Sequence, residues 1–291
     1  MKETVICLKE YINEKDYKSI EELNRICIKE EPMYLKLELD FKLSVSETHK
    51  EQALENINEF LCYCGDMLIG YLGICNFGGN DGELTGMIHP LYRRKGIFKK
   101  LYNLAKEECK RRGFKKILLV CDNKAHSGLE FIKAMEAEYS FSEYEMKLED
   151  NTTNEAGKNI TLRKASNSDA EEMSRQNGIY FDDDSKAIIL PEEEEKRNRI
   201  TYMIELSSEI IGKIRVDFEE EEGFISGFGI LPEFRKKGYG REALKSALYL
   251  LNKSNISRAA LSVAAENKKA LNLYKSCGFQ EESVMDYYEG K

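Results

Sequence analysis

The spacing of apolar positions predicts alternating helices and strands along most of the chain. Between residues 16 and 30, Ile20, Leu23 and Cys27 recur at intervals of three and four, which predicts an amphipathic helix. Residues 1–50 as a whole are predicted to be mostly helical. Shorter apolar or β-branched runs, bounded by glycine and aspartate turns, predict strands at 59–63, 67–77, 83–89, 115–121 and 139–148, the last closing the first half.

The same order of elements returns in the second half of the chain. Residues 151–157 are polar and turn-rich, which predicts a linker over residues 151–159. Beyond the linker, the pattern predicts a helix at 168–176 and strands at 160–163, 201–206, 210–219 and 223–230.

The most informative stretch is Ile230-Leu231-Pro-Glu-Phe-Arg235-Lys-Lys-Gly238-Tyr-Gly240-Arg241, between a predicted strand and a predicted helix. The glycines allow a tight turn and a close approach of the backbone to a ligand, so both are expected to be needed. The helix start adds free N–H groups and the positive end of its dipole. The stretch therefore predicts an anion site, most simply for phosphate or pyrophosphate. An ordinary strand-to-helix turn is the alternative.

An internal repeat divides the chain. Pro90-Leu-Tyr-Arg93-Arg-Lys-Gly96 aligns with Pro232-Glu-Phe-Arg235-Lys-Lys-Gly238 at a constant offset of 142 residues. A repeat of this length indicates a duplicated domain rather than a solenoid unit. The expected organisation is an N-terminal α/β domain over 1–150, the linker, and a second α/β domain over 160–291.

The two copies differ where chemistry is expected. At the same offset, the first copy has Phe98 for Gly240, Ala125 for Asn267 and Ile132 for Tyr274. The first copy therefore keeps the basic turn with Arg93 and Gly96 but lacks the polar side chains. A small shift in alignment would let Asn123 take the place of Asn267, whereas no shift supplies a tyrosine.

Two motifs resemble those of the GNAT superfamily of acyl-CoA-dependent N-acyltransferases. Arg235-x-x-Gly238-x-Gly240 is similar to its pyrophosphate motif. Asn267-Lys-Lys-Ala270-Leu-Asn-Leu-Tyr274, followed by Gly278-Phe279, is similar to its second signature. The resemblance implies two tandem GNAT domains of α/β (α+β-like) class. Each has a mixed, mostly antiparallel central sheet that is splayed at the CoA site and flanked by helices.

The resemblance also implies roles for individual residues. Main-chain amides and cationic side chains of the basic turn are expected to bind the pyrophosphate of acetyl-CoA, the residues being Arg235, Lys236, Lys237, Gly238, Tyr239, Gly240 and Arg241. The backbone at Phe228, Ile230 and Leu231 is expected to pair with the pantetheine arm, with an N–H near Ile230 facing the thioester oxygen. Asn267 is expected to bind the pantetheine, and Tyr274 to be the general acid. Asn267 is alternatively a helix N-cap and Tyr274 a core residue.

The general base is marked only by an acidic run before the central strand. A carboxylate among Glu220, Glu221 and Glu222 is positioned in sequence to accept the ammonium proton, and Glu222 is the candidate taken here. A solvated hairpin turn is the alternative for this run. Three acidic clusters, Asp182–Asp184, Glu192–Glu195 and Glu219–Glu222, lie before the basic turn of the second copy and favour a cationic acceptor.

Composition narrows the remaining possibilities. The net charge of −8 argues against nucleic acid as a partner. No apolar run approaches a membrane span, and the first residues lack a secretion signal, so a cytoplasmic protein without a membrane partner is expected. The eight cysteines include the pair Cys62 and Cys64, but no histidine nearby completes a metal site, and reduced thiols without a metal are expected. The duplication is expected to replace a homodimer, giving a monomer.

These observations support an N-acetyltransferase that transfers an acetyl group from acetyl-CoA to a primary amine of a small molecule or peptide, with its chemistry in the second copy. The alternative is a non-catalytic acyl-CoA-binding or sensor protein.

Overall fold

A computed structural model describes residues 3–48, 55–76, 80–181, 188–219 and 222–290. Its contacts divide the chain into two compact units. The N-terminal unit comprises Met1–Ser142 with Met285–Lys291, and the C-terminal unit comprises Glu143–Val284. The N-terminal unit is therefore made of two segments of the sequence, whereas the predicted boundaries at 150 and 160 follow the repeat.

The described residues form twelve strands and eight α-helices. The strands are β1 (Thr4–Lys9), β2 (Glu59–Cys64), β3 (Met67–Cys75), β4 (Asp81–Ile88), β5 (Lys116–Asp122), β6 (Glu138–Leu148), β7 (Thr161–Lys164), β8 (Arg199–Leu206), β9 (Glu209–Phe218), β10 (Glu222–Ile230), β11 (Arg258–Ala264) and β12 (Gln280–Glu289). The helices are α1 (Glu14–Glu30), α2 (Leu39–Thr48), α3 (Ile97–Arg111), α4 (His126–Ala134), α5 (Ala170–Phe181), α6 (Pro191–Glu195), α7 (Tyr239–Lys253) and α8 (Lys268–Lys275).

Most predicted elements are present, with one wrong assignment near the start. The first residues were predicted to be mostly helical, but β1 is a strand and pairs antiparallel with β2 from Thr4↔Cys64 to Lys9↔Glu59. Its sequence, Thr-Val-Ile-Cys-Leu-Lys, is rich in β-branched residues, which favour strands. The helix predicted from Ile20, Leu23 and Cys27 is α1, and all three side chains are buried.

Each unit contains one six-stranded sheet. The order is β1-β2-β3-β4-β5-β12 in the N-terminal unit and β6-β11-β10-β9-β8-β7 in the C-terminal unit. Neighbouring strands are antiparallel except for the pairs β4–β5 and β10–β11, which are parallel. These mixed, mostly antiparallel sheets with flanking helices confirm the predicted fold class.

The parallel pair in each sheet separates partway along its length. β10 pairs with β11 only from Glu222↔Arg258 to Phe224↔Ala260, although β10 continues to Ile230. In the N-terminal unit, β4 pairs with β5 only as far as Leu84↔Leu119 and continues to Ile88. The main chain of β10 beyond Phe224 is thus no longer paired on its β11 side within the described residues.

The two repeats exchange their last strands. Residues Glu143–Leu148 of β6 pair with β11, and residues Met285–Glu289 of β12 pair with β5. The strand predicted over 139–148 therefore does not simply close the first half of the chain. Strand pairing depends on side-chain complementarity that sequence order does not encode, so the local pattern predicted the strand but not its partner.

Helix α7 anchors the C-terminal core. Ala243, Leu244, Ala247, Leu248 and Leu251 recur along one face and are all at most 1% exposed. A Cβ at Gly223 of β10 would lie 2.2 Å from the Leu251 side chain, so glycine is required where this helix crosses the strand. This contact holds the last turn of α7 against the start of β10. No helix in the described part of the chain has both the length and the apolar composition needed to span a membrane.

Candidate functional site

The end of β10 carries a β-bulge at the point where the strand has left β11. The register with β9 shifts between Ser226 and Gly229, and Gly227 has φ +55°. The Leu231 N–H donates to the Ile211 carbonyl at 2.8 Å, which holds the strand end on β9. Bulges bend a strand and redirect its groups, so this one turns the open edge of β10 at residues 228–231.

The basic turn after β10 forms a concave array of main-chain N–H groups. Lys236 has φ +63° and Gly238 has φ +91°, and Gly238 directly precedes α7. The N–H groups of Arg241 and Glu242 donate to the Gly238 carbonyl. Within the described ranges, the N–H groups of residues 236–240 make no hydrogen bond. Successive free amides beside a helix start form an anion site.

One side chain of the basic turn bonds to the strand end, and the others carry positive charge at the surface. Arg235 Nε donates to the Ile230 carbonyl at 2.8 Å, so this residue ties the turn to the strand end. Lys237 Nζ lies 5.3 Å from the centre of the Phe234 ring. Lys236, Lys237 and Arg241 are exposed and surround the free amides with positive charge.

The N-terminal unit contains the same turn. Arg94 has φ +63° and Gly96 has φ +74°. The equivalent residues of the C-terminal unit, Lys236 and Gly238, have φ +63° and +91°. Arg93 Nε donates to the Ile88 carbonyl at 3.2 Å, as Arg235 does to Ile230. Arg93 also pairs with Glu31 at 3.1 Å. Arg93 and Arg235 thus serve the shape of the turn in both copies.

An aromatic ring lies beside the turn in both units, but it belongs to a strand in one unit and to a helix in the other. In the C-terminal unit, Phe228 of β10 faces Gly240, where an added Cβ would lie 3.8 Å from the Phe228 ring. In the N-terminal unit, the equivalent positions are exchanged: Gly86 lies on β4 and Phe98 on α3, and a Cβ at Gly86 would lie 3.0 Å from the Phe98 ring. Phe98 also packs edge-on against Phe131 at 4.6 Å between ring centres. A side chain therefore occupies the helix start in the N-terminal unit only.

The two glycines of the basic turn are not equivalent. Gly238 has a left-handed backbone, which favours glycine, and open space around it. Gly240 has no positive φ, and a Cβ there would make only ordinary contacts, the nearest at 3.5 Å from Leu273. Glycine was predicted to be needed at both positions, but the backbone conformation favours glycine only at Gly238.

Tyr274 lies on α8 with its ring in an apolar environment. The side chain is 8% exposed, and its ring centre lies 6.5 Å from that of Phe228 and 6.1 Å from that of Phe279. Burial raises the pKa of its phenol to about 12, so the hydroxyl keeps its proton at neutral pH. This hydroxyl donates to no other group in the described ranges and is available to a ligand.

Asn267 forms the N-cap of α8. Its Oδ1 accepts from the Ala270 N–H at 3.1 Å, which is the capping alternative, and its side-chain amide nitrogen is left for a ligand. In the N-terminal unit, Ala125 occupies the N-cap of α4 and makes no side-chain cap bond. The helix starts therefore align at the constant offset, and Asn123 does not occupy the equivalent position.

The acidic candidates for the general base are not brought to this site. Glu222 is the first residue of β10 and lies eight residues before Ile230, about 26 Å at ~3.3 Å per residue. It faces Lys147 at 3.8 Å, at the end where β10 and β11 are still paired. Glu222 therefore lies at the opposite end of β10 from the basic turn. Glu220 and Glu221 lie outside the described residues.

The acidic clusters that favoured a cationic acceptor are only partly described. Asp182–Asp184 lie outside the described residues. In the cluster Glu192–Glu195, three residues form ion pairs with nearby cations: Glu193 with Lys196, Glu194 with Arg199, and Glu195 with Lys164. Glu192 accepts from the main-chain N–H of Asn167 at 3.1 Å. The negative charge of this cluster is thus largely used in local pairs.

Two residues near the bulge were not identified from the sequence. The Tyr180 ring of α5 lies against Gly229, where a Cβ would be 2.3 Å from it. Lys213 of β9 is 5% exposed and donates from Nζ to the Gly227 carbonyl at 3.1 Å. In the sequence, Lys213 could have been noticed as a single lysine among the apolar residues Ile211, Ile214 and Val216.

In the N-terminal unit, the segment between α1 and α2 lies against the separated strands. The Tyr34 N–H donates to Asp122 of β5 at 2.6 Å. Lys36 Nζ donates to the Tyr287 hydroxyl at 2.8 Å and lies 3.8 Å from Glu83 of β4. This segment thus contacts β4, β5 and β12 through polar groups.

Cysteines and acidic residues form no metal site in the ranges described. No group of three or more His, Cys, Asp or Glu residues there has the arrangement to hold an ion. All eight cysteines are free thiols, with Cys62 buried and Cys64 half-buried.

Comparison with known proteins agrees with this geometry. The acetyltransferase (GNAT) family model matches residues 23–135 and 164–279. An uncharacterised N-acetyltransferase of Bacillus subtilis, YycN, is 30% identical over 122 residues, which are 40% of this chain and 73% of YycN. An N-alpha-acetyltransferase of Sulfurisphaera tokodaii is 22% identical over 145 residues, 45% of this chain and 87% of that protein.

A solved structure has the same two-copy organisation. The tandem GNAT protein from the clavulanic acid biosynthesis pathway superposes with a TM-score of 0.72, covering 99% of this chain and 98% of that one at 14% identity. At this identity, the match concerns the fold. Together with the two family matches, it confirms the predicted tandem arrangement, and the chain belongs to the GNAT acetyltransferase family with two copies of its domain in one polypeptide.

Proposed function

We propose that the protein is an N-acetyltransferase that transfers an acetyl group from acetyl-CoA to a primary amine, and that its C-terminal unit performs the chemistry. One observation carries this proposal: in the described residues of the C-terminal unit, an open array of free amides at 236–240 lies with a buried, hydrogen-bond-free tyrosine hydroxyl at the separated strands. The N-terminal unit has the array but has Ile132 in place of Tyr274.

The main chain of the C-terminal unit provides the binding groups. The free N–H groups from Lys236 to Gly240 would hold the pyrophosphate, with Lys237 and Arg241 adding positive charge. The unpaired edge of β10 from Phe228 to Leu231 would pair with the amides of the pantetheine arm. The side-chain amide of Asn267 would donate to the same arm. In this proposal, the thioester would lie near Phe228 and Tyr274.

The proposed reaction requires one proton donor at the sulfur. The neutral amine attacks the thioester carbonyl, a C–N bond forms, and the C–S bond breaks. Tyr274 gives its proton to the leaving thiolate and regains one from the new ammonium group, directly or through water. A phenol with a pKa of about 12 is protonated when the acceptor binds, as this step requires.

The N-terminal unit is proposed to shape or support the protein rather than to catalyse. Phe98 occupies the helix start that Gly240 leaves open, and the Tyr34 N–H is bonded to Asp122 at the end of β5. Its turn with Arg93 and Gly96 still presents a helix start, so weak binding of CoA there is compatible with the proposal.

Calorimetry and a thiol-release assay test the function together. Acetyl-CoA is titrated into the full-length protein, and release of CoA is then followed with a panel of small-molecule and peptide amines. Turnover with at least one amine supports the enzyme. Tight binding of acetyl-CoA without turnover on any amine would instead favour the non-catalytic sensor.

A further inference from the structure

A buried cation beside the β10 bulge has no anionic partner among the residues that the structure describes. Lys213 is 5% exposed, and its only polar contact in the described residues is the Gly227 carbonyl at 3.1 Å. A carbonyl oxygen satisfies one of the three ammonium donors and carries no net charge. Charged groups that are removed from water are normally paired, because desolvation of an isolated ion is costly.

The neighbouring charges do not supply the missing anion. On the same face of β9, Arg215 lies 3.2 Å from Asp217, and Arg199 lies 3.1 Å from the same carboxylate. Arg199 also reaches Glu194 at 3.4 Å. These two carboxylates are thus shared among arginines. Burial and the nearby Arg215 lower the pKa of Lys213 to about 8, which reflects the uncompensated charge.

The N-terminal unit provides an internal comparison. Its buried lysine, Lys42, lies 2.8 Å from the Glu59 carboxylate and 3.0 Å from the Tyr71 hydroxyl. Tyr71 occupies the position equivalent to Lys213. The first copy therefore neutralises its buried ammonium group with its own carboxylate, whereas no carboxylate in the described part of the second copy does so.

The position of Lys213 connects its charge to the proposed reaction centre. Gly227, whose carbonyl it contacts, immediately precedes Phe228 in the part of β10 that is no longer paired with β11. The ammonium group lies 5.8 Å from the centre of the Phe181 ring, and this ring is about half exposed. Lys213 therefore lies beside the open edge of β10, with an exposed aromatic ring near its ammonium group.

We propose that Lys213 binds a carboxylate of the acceptor, so that the acceptor is an amino acid or a similar compound with an amine and a carboxylate separated by a few bonds. This inference rests on the proposed function and concerns the same site. The carboxylate replaces the missing anionic partner of Lys213 and directs the amine toward the thioester. It differs from the cationic acceptor that the acidic clusters favoured.

Matched acceptors test the carboxylate. Glycine, L-alanine, β-alanine and 4-aminobutyrate are each compared with the corresponding amide, which keeps the amine and removes the charge. At least one acid is expected to exceed its amide in kcat/KM by about 10- to 100-fold, as expected for a charge-assisted hydrogen bond. Most of the difference is expected in KM, because both partners form the bond before reaction.

Variants of Lys213 identify the group responsible. Lys213→Met is expected to abolish the preference while retaining turnover on the amide and the affinity for acetyl-CoA, and Lys213→Arg to restore part of it. Lys213→Met should fold, because it removes a buried charge that has no ionic partner to lose. Lys196→Met, which removes an exposed cation in the same unit, is the control and should leave the preference unchanged.

The outcomes separate this inference from the proposed function. Turnover on amides with no preference for any acid, or a preference that survives Lys213→Met, would overturn the carboxylate site and leave the acetyltransferase intact. If no amine is turned over, binding of N-acetylglycine and N-acetylglycinamide to the CoA complex is measured by calorimetry. Tighter, Lys213-dependent binding of the acid would then support the site while the enzyme fails, and equal binding would overturn the site.

Discussion

Replacing Gly238 by alanine tests whether backbone conformation forms the anion site. Gly238 has φ +91°, and a Cβ there would meet no atom within 4 Å, so the substitution introduces backbone strain without a steric clash. A left-handed conformation costs a residue with a Cβ about 1–2 kcal/mol. Gly240→Ala is the matched control, because its contacts of 3.5 Å or more are ordinary and its φ is not positive.

The strain in Gly238→Ala has two possible consequences, and both can be measured. If the turn keeps its shape, the free energy of unfolding falls by about 1–2 kcal/mol. If the turn relaxes instead, acetyl-CoA must restore its shape, and the Kd rises by about 5- to 30-fold, since 1.4 kcal/mol corresponds to a factor of ten. The two losses together should match the cost of the strain. Chemical denaturation and calorimetry on both variants give the two values.

The result that would refute this reasoning is specific. Unchanged stability and affinity in Gly238→Ala would show that the positive φ does not matter to the turn. A larger loss of stability in Gly240→Ala than in Gly238→Ala would show that crowding, rather than conformation, requires the glycines.

Three further predictions concern stability and assembly. Arg163 lowers the pKa of Asp169 from its ordinary value of 3.8 to about 2, so the stabilisation from this carboxylate is complete above about pH 4 and is lost as the pH falls toward 2; the difference in unfolding free energy between wild type and Asp169→Asn should shrink over that range. Glu59→Gln should destabilise the protein by about 3–5 kcal/mol in chemical denaturation, because it leaves the buried Lys42 without its carboxylate, and a loss below 1 kcal/mol would contradict the importance of that pair. Light scattering should give the mass of one chain, 33.6 kDa, and a stable dimer at micromolar concentration would contradict the monomer.

The sequence predicted the parts of the fold that depend on local pattern. The basic turn, the helix of Ala243 to Leu251 and the repeat offset of 142 residues all correspond to observed backbone geometry. The exchange of the strands ending at Leu148 and Glu289 was not predicted, because a strand's own residues do not specify its partner. The structure confirms the elements and adds how they pair.

For the candidate site, the sequence indicated where the backbone motifs lie but not which side chains from distant segments meet there. Gly238 and Tyr274 lie at the separated strands as the motifs imply. Glu222 does not, because it is the first residue of β10, whereas β10 and β11 separate toward the other end of that strand. Lys213 was not identified, because the sequence shows neither that this side chain is buried nor which described residues surround it.

The most direct test of the account is turnover by Tyr274→Phe at saturating acetyl-CoA. The substitution keeps the ring against Phe228 and Phe279 and removes only the hydroxyl, so the fold and the Kd for acetyl-CoA should be preserved. Turnover should fall by roughly 10²–10⁴-fold, the usual contribution of general acid catalysis, whereas the control Ile132→Val in the N-terminal unit should leave it nearly unchanged. Wild-type turnover in a well-folded Tyr274→Phe variant, or loss of turnover in a well-folded Ile132→Val variant, would contradict the assignment of the chemistry to the C-terminal unit.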